Sequence, residues 1–224
     1  MTVIATDTYR LSNLVKHEYK KELNFCRDAV IVNDAASTYA VGTVLGKTIT
    51  SGTASAAANA GNTGNGTFGA VTVTAPAKVG VYSVVFTAAS ANAGTFLVVD
   101  PDGVAVGTGT VAVAFSKGGL AFTIADGATD FAIGDGFKVT VLGTYKYKIC
   151  VQTATDGSQV AAALVLEDKA IPATTDTKMA VIVRGPATIS KTALVLDATH
   201  NTDAEKEAIY ASLAALGIQV LEAA

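Results

Sequence analysis

The stretch that most resembles a chemical motif is Gly42-Thr-Val-Leu-Gly46-Lys47-Thr48, which looks like a phosphate-binding loop. Such a loop needs four residues between its glycines and a helix directly after the Lys-Thr pair, so that backbone N–H groups converge on the phosphates. Here three residues separate the glycines, and the residues that follow, Ile-Thr-Ser-Gly, do not start a helix. We therefore predict a β-strand and no nucleotide cofactor at this position.

Aspartates next to glycines are a second possible source of chemistry, because calcium binds about six to eight closely spaced oxygens. They lie at Asp100-Pro101-Asp102-Gly103, Asp126-Gly127, Asp135-Gly136 and Asp156-Gly157, with Asp130 nearby. None follows the order of an EF-hand loop, since Val104 stands where a third ligand belongs. Asp-Gly also favours tight hairpin turns, and each pair lies between predicted strands. The sequence predicts turns and no metal site.

The remaining reactive side chains are few. His17 and His200 are the only histidines, which leaves little for a zinc site or a His-based catalytic pair. Cys26 and Cys150 are too few for a disulfide framework, and we expect both to pack as small buried groups. No nucleophile-elbow motif is present. Paired carboxylates that meet only in the fold leave acid–base chemistry open, but the sequence favours a protein that is not an enzyme.

Composition narrows the class of protein further. Of the 224 residues half are hydrophobic, yet no window reaches the ~18 apolar residues of a membrane span, and the N-terminus does not resemble a signal peptide. We expect a soluble protein that is not exported. A net charge of −3 argues against a general nucleic-acid binder. Only 16% of the residues are charged, so we expect neighbouring proteins to cover much of the surface.

Residues 1–25 carry many long polar side chains and form a predicted N-terminal arm. The large apolar residues in this segment are spaced too loosely for one helical face, so we expect the arm to become ordered only on binding. The candidate anchors are Tyr9, Leu11, Leu14, Val15 and Tyr19. One interpretation is a frayed terminus without a role. The other is an arm that adds a strand or a short helix to a partner.

The rest of the chain is dominated by β-branched residues separated by turn signals. The predicted strands cover residues 26–32, 39–50, 71–75, 81–88, 95–100, 111–115, 120–124, 137–142, 145–153, 160–166, 180–183 and 193–196. Residues 52–69, rich in Ala, Asn, Gly, Ser and Thr, are a predicted flexible linker. Seven of the eight phenylalanines lie between Phe68 and Phe137, which predicts a separate core for residues 70–143.

These patterns predict a discontinuous organisation. An antiparallel β-sandwich, residues 70–143, is inserted into a β domain formed by residues 26–51 and 144–224. A helix closes the second part: Thr202 and Glu205 form a capping box, and Gly217 can end the helix in the left-handed conformation. Ile209, Leu213 and Leu216 form its apolar stripe. The predicted fold class is mainly β with a C-terminal α-helix (α+β).

Several segments resemble the head decoration protein family of tailed bacteriophages, the lambda-type capsid-stabilising proteins. The residues that carry this resemblance are Phe25-Cys-Arg-Asp-Ala-Val30, Tyr39-Ala-Val-Gly-Thr-Val-Leu-Gly-Lys47, Ala180-Val-Ile-Val-Arg-Gly-Pro-Ala187 and the closing helix with its Ala-Leu-Gly end. Thr95-Phe96, Asp100-Pro-Asp-Gly103 and Phe131-Ala-Ile-Gly-Asp135 are similar to longer members with an extra β-rich insertion.

The resemblance implies a cement protein of the virion, assembled in the host cytoplasm. Copies, typically homotrimers at three-fold or quasi-three-fold positions, bind the major capsid protein on the outer surface of an expanded head and hold it against internal DNA pressure. No cofactor is implied. Our hypothesis is that the arm pairs with a capsid strand. Two alternatives stay open: another virion protein, such as a tail or fibre component, and a carbohydrate-binding or hydrolytic β protein, which the absence of tryptophan disfavours.

Overall fold

The computed structural model describes residues 11–222, which are mainly β, with 46% strand and 11% helix. In chain order the elements are α1 (Leu11–Leu14), β1 (Val15–Glu18), β2 (Arg27–Val32), β3 (Ser37–Tyr39), β4 (Val44–Ala58), β5 (Thr67–Phe68), β6 (Thr72–Val73), β7 (Gly80–Ala88), β8 (Thr95–Val99), β9 (Ala105–Thr110), β10 (Phe115–Lys117), β11 (Leu120–Phe122), β12 (Ile124–Ala125), β13 (Gly136–Ile149), β14 (Ala161–Val165), β15 (Lys169–Ile171), β16 (Thr177–Ile182), β17 (Ala187–Ser190), α2 (Asp203–Ala215) and β18 (Ile218–Leu221). The predicted fold class is confirmed. No helix within residues 11–222 is long and apolar enough to cross a membrane.

The described chain divides into two compact units. Unit 1 contains the described residues up to Thr48 together with those from Lys146 onward, and unit 2 is Ile49–Tyr145. The long strands β4 and β13 carry the chain from one unit into the other.

Unit 1 is built from three groups of strands. One sheet has the order β2-β16-β14-β4, the second has the order β1-β17-β18, and β3 pairs with β15. All five residues of β14 are buried, as expected for a central strand that has no polar face. In β1-β17-β18, strand β1 is antiparallel to β17 and β18 is parallel to it, so β17 is the central strand.

Helix α2 follows the sequence prediction closely. Thr202 accepts a hydrogen bond from the Glu205 amide, and the Glu205 carboxylate accepts one from the Thr202 amide, so the capping box is confirmed. Ile209 and Leu213 are buried in the core of unit 1. Gly217 has φ +78°, the left-handed conformation that glycine adopts without steric cost. The chain then continues into β18.

Unit 2 has its own core, formed mainly by phenylalanine side chains. Strand β8 lies between β7 and β9 and pairs antiparallel with both. The first part of β13 pairs antiparallel with β7. Strands β6, β10 and β11 form a second sheet, while β5 pairs with β12. The stacked rings of Phe86 and Phe131 have their centroids 4.1 Å apart, and Phe115 and Phe122 have theirs 4.9 Å apart. The antiparallel pairing and the phenylalanine core agree with the sequence. The sandwich arrangement stays a prediction.

The prediction of a flexible linker over residues 52–69 was wrong. Strand β4 continues to Ala58, and Ala54 and Ala56 pack against the core of unit 2, because the small residues still alternate between two faces. The loop that follows is held by Asp135. Its carboxylate accepts hydrogen bonds from the amides of Thr63 and Gly64, at 2.9 and 2.8 Å. This contact joins residues about seventy positions apart, which the local composition did not indicate.

Two predicted strands were also wrong. In residues 111–115 the chain turns, since Ala112 has φ +62°, and the strand preceding this turn is β9. In residues 193–196 only a single bridge joins Val195 to Thr43, and the strand of this region is β17, which directly follows Pro186. Both stretches are short and wholly apolar, and a short apolar run does not by itself distinguish a strand from other buried structure.

Candidate interaction surface

The edge of the β1-β17-β18 sheet is the first feature suited to binding a partner. Val15 pairs with Ile189, and His17 and Glu18 pair with Thr188 and Ala187, so β17 occupies one edge of β1. Within residues 11–222 no strand pairs with the other edge. An edge strand of this kind offers unpaired backbone groups to which an extended segment of another protein can bind.

Two contacts fasten β1 to unit 1. Leu14, directly before the strand, is fully buried in the core that also contains Ile209 and Leu213. At the other end the Arg27 guanidinium donates two parallel hydrogen bonds to the Glu18 carboxylate, from Nε to Oε1 at 2.8 Å and from Nη2 to Oε2 at 2.7 Å. The Glu18 side chain is only 1% exposed. Strand β1 is therefore held in place, and no strand of residues 11–222 pairs with its outer edge.

Residues 19–25, which we call the 19–25 lobe, form an exposed turn after β1. Tyr19, Leu23 and Phe25 are 41%, 68% and 42% exposed. Lys20 and Asn24 both have left-handed backbone conformations, at φ 46° and 51°, and a short 3-10 turn lies between them. This geometry presents large apolar side chains on the surface of unit 1.

The 19–25 lobe is fixed by its own contacts. The rings of Tyr19 and Phe25 meet edge to face with centroids 5.5 Å apart, and the Arg184 guanidinium lies 5.6 Å from the Phe25 centroid. Arg184 Nε also donates to the Phe25 carbonyl at 2.7 Å. The buried Cys26 thiol points to the carbonyls of Tyr19 and Pro186. A preorganised surface of this kind loses little conformational entropy on binding.

For residues 11–25 the structure corrects the prediction of an arm that orders only on binding. From Leu11 onward the chain forms α1, β1 and the 19–25 lobe, and Leu11 and Val15 pack against the buried core that contains Leu14. Tyr19 is the one anchor candidate among residues 11–25 that stays exposed. Tyr9 lies outside the described residues. Sequence spacing missed this packing because the segment pairs with β17, more than 160 residues away.

The residues that suggested a phosphate-binding loop have a packing role. Gly46 belongs to β4, and a Cβ atom there would lie 1.9 Å from the carbonyl oxygen of Ser158. Gly42 has φ +92°, and a Cβ atom there would lie 2.1 Å from the Ala193 carbonyl oxygen. Both glycines allow two backbone segments to approach closely. The predicted strand is confirmed from Val44 onward.

The predicted turn is confirmed at Asp100–Gly103, and the chain bends at Asp156-Gly157, whereas Gly136 is the first residue of β13 and Asp126-Gly127 lies in an irregular segment. In the turn after β8, Asp100 Oδ1 accepts hydrogen bonds from the amides of Asp102 and Val104, and Gly103 has φ +82°. In residues 11–222 no group of three His, Cys, Asp or Glu side chains is placed to hold a metal ion. Cys26 and Cys150 are buried free thiols, and burial, with the nearby Asp197, raises the pKa of Cys150 to about 12.

A groove beside α2 is a second surface that the sequence did not indicate, and we call it the α2 groove. It has a volume of about 380 Å³, and small, aliphatic and amide side chains form most of its walls. Its main lining residues are Gln152, Gln159, Val160, Ala204, Ala208 and Ser212. His200 also lines the groove and is 95% buried, since its exposed fraction is 5%, and its Nδ1 atom has no hydrogen-bond partner. His200 lies in the loop directly before α2.

These features define a mainly β protein with an open strand edge, an apolar surface lobe and a small groove. A family model of the bacteriophage lambda head decoration protein D matches residues 64–218, which is more than half of the chain. The chain therefore belongs to the bacteriophage lambda head decoration protein D family. Membership implies a structural role at the phage capsid and a place in the virion, and it implies a protein that is not an enzyme.

Comparison with solved structures gave similarity to flagellar proteins over about half of this chain. FlgL from Xanthomonas campestris is 28% identical, with a TM-score of 0.32 over 49% of this chain and 34% of that chain. The flagellar hook junction protein FlgK from Burkholderia pseudomallei is 22% identical, with a TM-score of 0.32 over 56% of this chain and 21% of that chain. The chain thus spans about a third of FlgL and about a fifth of FlgK. No curated protein sequence matches the chain.

Proposed function

We propose that this protein binds the outer surface of an expanded phage capsid and stabilises the shell against the pressure of the packaged DNA. Its partner is the major capsid protein, and its working form is a homotrimer at three-fold or quasi-three-fold positions. The observation that carries the proposal is the match to the head decoration protein D family over residues 64–218. The low content of charged residues, 16%, agrees with a surface largely covered by neighbours.

The N-terminal part of unit 1 supplies the capsid contact. The outer edge of β1 binds an extended capsid segment by strand addition, and the half-exposed Tyr19 packs against it. Tyr9, which lies outside the described residues, contributes to the same capsid contact. Leu14 serves the same contact indirectly, because its burial keeps β1 in place. Leu11 and Val15 support Leu14 in the same way.

Strand addition suits this task for a physical reason. The backbone hydrogen bonds between two strands do not depend on the side chains, and side chains at alternate positions then determine which partner fits. In a homotrimer three such contacts act together, because binding of the first raises the effective concentration of the other two at the shell. A weak contact at each copy therefore gives durable attachment.

Binding to purified, expanded, undecorated heads tests the proposal directly. Co-sedimentation should show saturable binding by the full chain and a large loss of binding when residues 1–10 are deleted. Changing Tyr19 to Ala should weaken binding about tenfold, which corresponds to ~1.4 kcal/mol. Changing Ile133 to Ala is a matched control, since Ile133 is 71% exposed but lies in unit 2. A full chain that does not bind expanded heads would contradict the proposal.

A further inference from the structure

The 19–25 lobe exposes three large apolar side chains within seven positions. Leu23 is the most exposed large apolar side chain of unit 1, at 68%, and it lies between the half-exposed rings of Tyr19 and Phe25 in the sequence. Single exposed apolar residues are common, whereas a group of them is typical of a surface that a partner covers. The lobe therefore offers apolar contact area that unit 1 itself leaves exposed.

The backbone of the lobe is ordered without a partner. The Leu23 amide donates a hydrogen bond to the Lys20 carbonyl at 2.9 Å, which closes a tight turn, and Lys20 itself has a left-handed conformation. The buried ion pair of Glu18 and Arg27 joins the two ends of the lobe. A side chain at the tip of an ordered turn loses little conformational entropy when it enters a pocket. Leu23 is therefore suited to insertion.

Basic side chains accompany these apolar ones. The exposed basic residues of the lobe and its flanks are Lys16, Lys20, Lys21 and Arg184. In the described part of the chain, none of these four groups forms an ion pair with a carboxylate. Glu22 and Asp28 are the exposed carboxylates of residues 15–28, so four basic groups against two carboxylates leave an excess of two positive charges. The whole chain carries −3, so this surface has the opposite sign.

We propose that the 19–25 lobe inserts Leu23 into an apolar pocket of the major capsid protein, and that carboxylates of the capsid protein line the rim of this pocket. Leu23 and the rings of Tyr19 and Phe25 form the desolvated centre of the contact, where binding energy concentrates. The lysines meet the acidic rim, which orients the protein on the shell. The inference rests on the proposed function, and it adds the chemistry of the partner surface beside the strand that pairs with β1.

Two other anionic partners fit these observations less well. A nucleic acid is bound through many phosphate contacts along a basic face, but this chain carries a net charge of −3. An anionic lipid surface would accept both Leu23 and the lysines, yet the family has a structural role at the phage capsid, which is a protein surface. The lobe also directly follows β1, so one capsid surface can contact both features.

Two variants separate the apolar part of the contact from the charged part. Leu23→Asn removes the apolar tip without adding a charge. The double variant Lys20→Gln, Lys21→Gln removes two positive charges and leaves the tip unchanged. Co-sedimentation with purified, expanded, undecorated heads measures affinity between about 0.1 M and about 1 M NaCl, a range over which the screening length falls from ~10 Å to ~3 Å.

Matched controls come from unit 2. Ile133→Asn removes an apolar side chain that is 71% exposed, and the double variant Lys117→Gln, Lys138→Gln removes two exposed positive charges. Circular dichroism verifies that all variants are folded. Vesicles that contain phosphatidylserine replace the heads in a parallel experiment.

Leu23→Asn should bind heads at least about tenfold more weakly than the wild type at every salt concentration. The lysine double variant should bind more weakly at low salt only, because high salt already screens the charges in the wild type. Both unit 2 controls should bind like the wild type.

A wild type that binds heads while Leu23→Asn or the lysine double variant binds equally well would overturn this inference and leave strand addition at β1 standing. A wild type that does not bind heads would overturn the proposed function together with the inference. Binding to the vesicles that Leu23→Asn abolishes would assign the lobe to a lipid surface and would also overturn the inference.

Discussion

Glu18 and Arg27 form a bidentate ion pair at the base of the 19–25 lobe, and the Glu18 side chain is 1% exposed. The pair joins the end of β1 to the start of β2 and so closes the chain on both sides of the lobe. The outer edge of β1 and the exposed 19–25 lobe are thus both supported by a buried contact.

Changing Glu18 to Ala should lower the free energy of unfolding by about 2–3 kcal/mol. This is less than the ~3–5 kcal/mol lost when a fully buried pair is broken, because Arg27 is partly exposed and water can solvate its charge. Urea denaturation measures the change. Glu22 is exposed within the lobe, so Glu22→Ala is the control and should change stability by less than about 0.5 kcal/mol. Equal effects of the two substitutions would argue against a supporting role for the pair.

Leu14 and Leu23 should behave in opposite ways although they are nine positions apart. Leu14 is fully buried, so Leu14→Ala should lower the free energy of unfolding by about 2–5 kcal/mol. Leu23 is 68% exposed, so Leu23→Ala should leave the free energy of unfolding nearly unchanged. Urea denaturation of both variants measures the difference. A stability loss of similar size in both variants would contradict the described packing.

The phosphate-loop-like stretch should prove to be structural. Gly46→Ala should lower the free energy of unfolding by more than about 2 kcal/mol, because the new Cβ atom would overlap the Ser158 carbonyl oxygen and force two packed backbone segments apart. Gly61→Ala is a useful comparison: nothing lies within 4 Å of its Cβ position, and only its positive φ, +87°, opposes the change. Isothermal titration with ATP should detect no binding by the wild type. Measurable nucleotide binding would contradict this interpretation.

Asp135 should make the loop that contains Thr63 and Gly64 sensitive to acid. Burial on its own raises the pKa of this carboxyl, but hydrogen bonds from the amides of Gly64, Thr63 and Ala132 outweigh it and lower the pKa overall. A lowered pKa in the folded state means that the stabilisation is present above the unfolded pKa of about 3.9 and is lost as the pH falls through the folded value. We expect the Thr63 and Gly64 amides to lose protection from hydrogen exchange below about pH 4.

Substitution of Asp135 checks this assignment. Asp135→Asn should lower the free energy of unfolding by about 2–3 kcal/mol at neutral pH, because an amide cannot accept all three bonds from backbone donors. The Thr63 and Gly64 amides of the variant should exchange quickly at every pH. Asp130→Asn, in the same loop and exposed, is the control. Acid-dependent exchange that persists in Asp135→Asn would assign the effect to a different group.

How much of the fold could be predicted from the sequence depends on how far apart the interacting residues are along the chain. The capping box of Thr202 and Glu205 spans three positions, and both its presence and the start of α2 were predicted correctly. Alternation located β7 and β8 and the phenylalanine core, because a buried face leaves a period of two in the sequence. The family resemblance, carried by short apolar motifs, was confirmed by the family match.

Three features that the sequence did not predict depend on contacts between distant parts of the chain. Leu14 is anchored by residues of α2, and β1 by β17, so the N-terminal segment lacks any local sign that it is ordered. The loop at Thr63 is fixed by Asp135, which made a packed segment resemble a linker. The α2 groove could not be foreseen, because its walls come from residues 152–160 and from α2. Only the fold brings such residues together.

Electron cryo-microscopy of expanded heads decorated with the full chain will show whether the outer edge of β1 binds the capsid. We expect a strand of the major capsid protein beside β1, about 4.8 Å from it and on the side opposite β17. Tyr19 should lie in the contact. Decorated heads in which the outer edge of β1 faces solvent, with the protein attached through another surface, would rule out strand addition at β1.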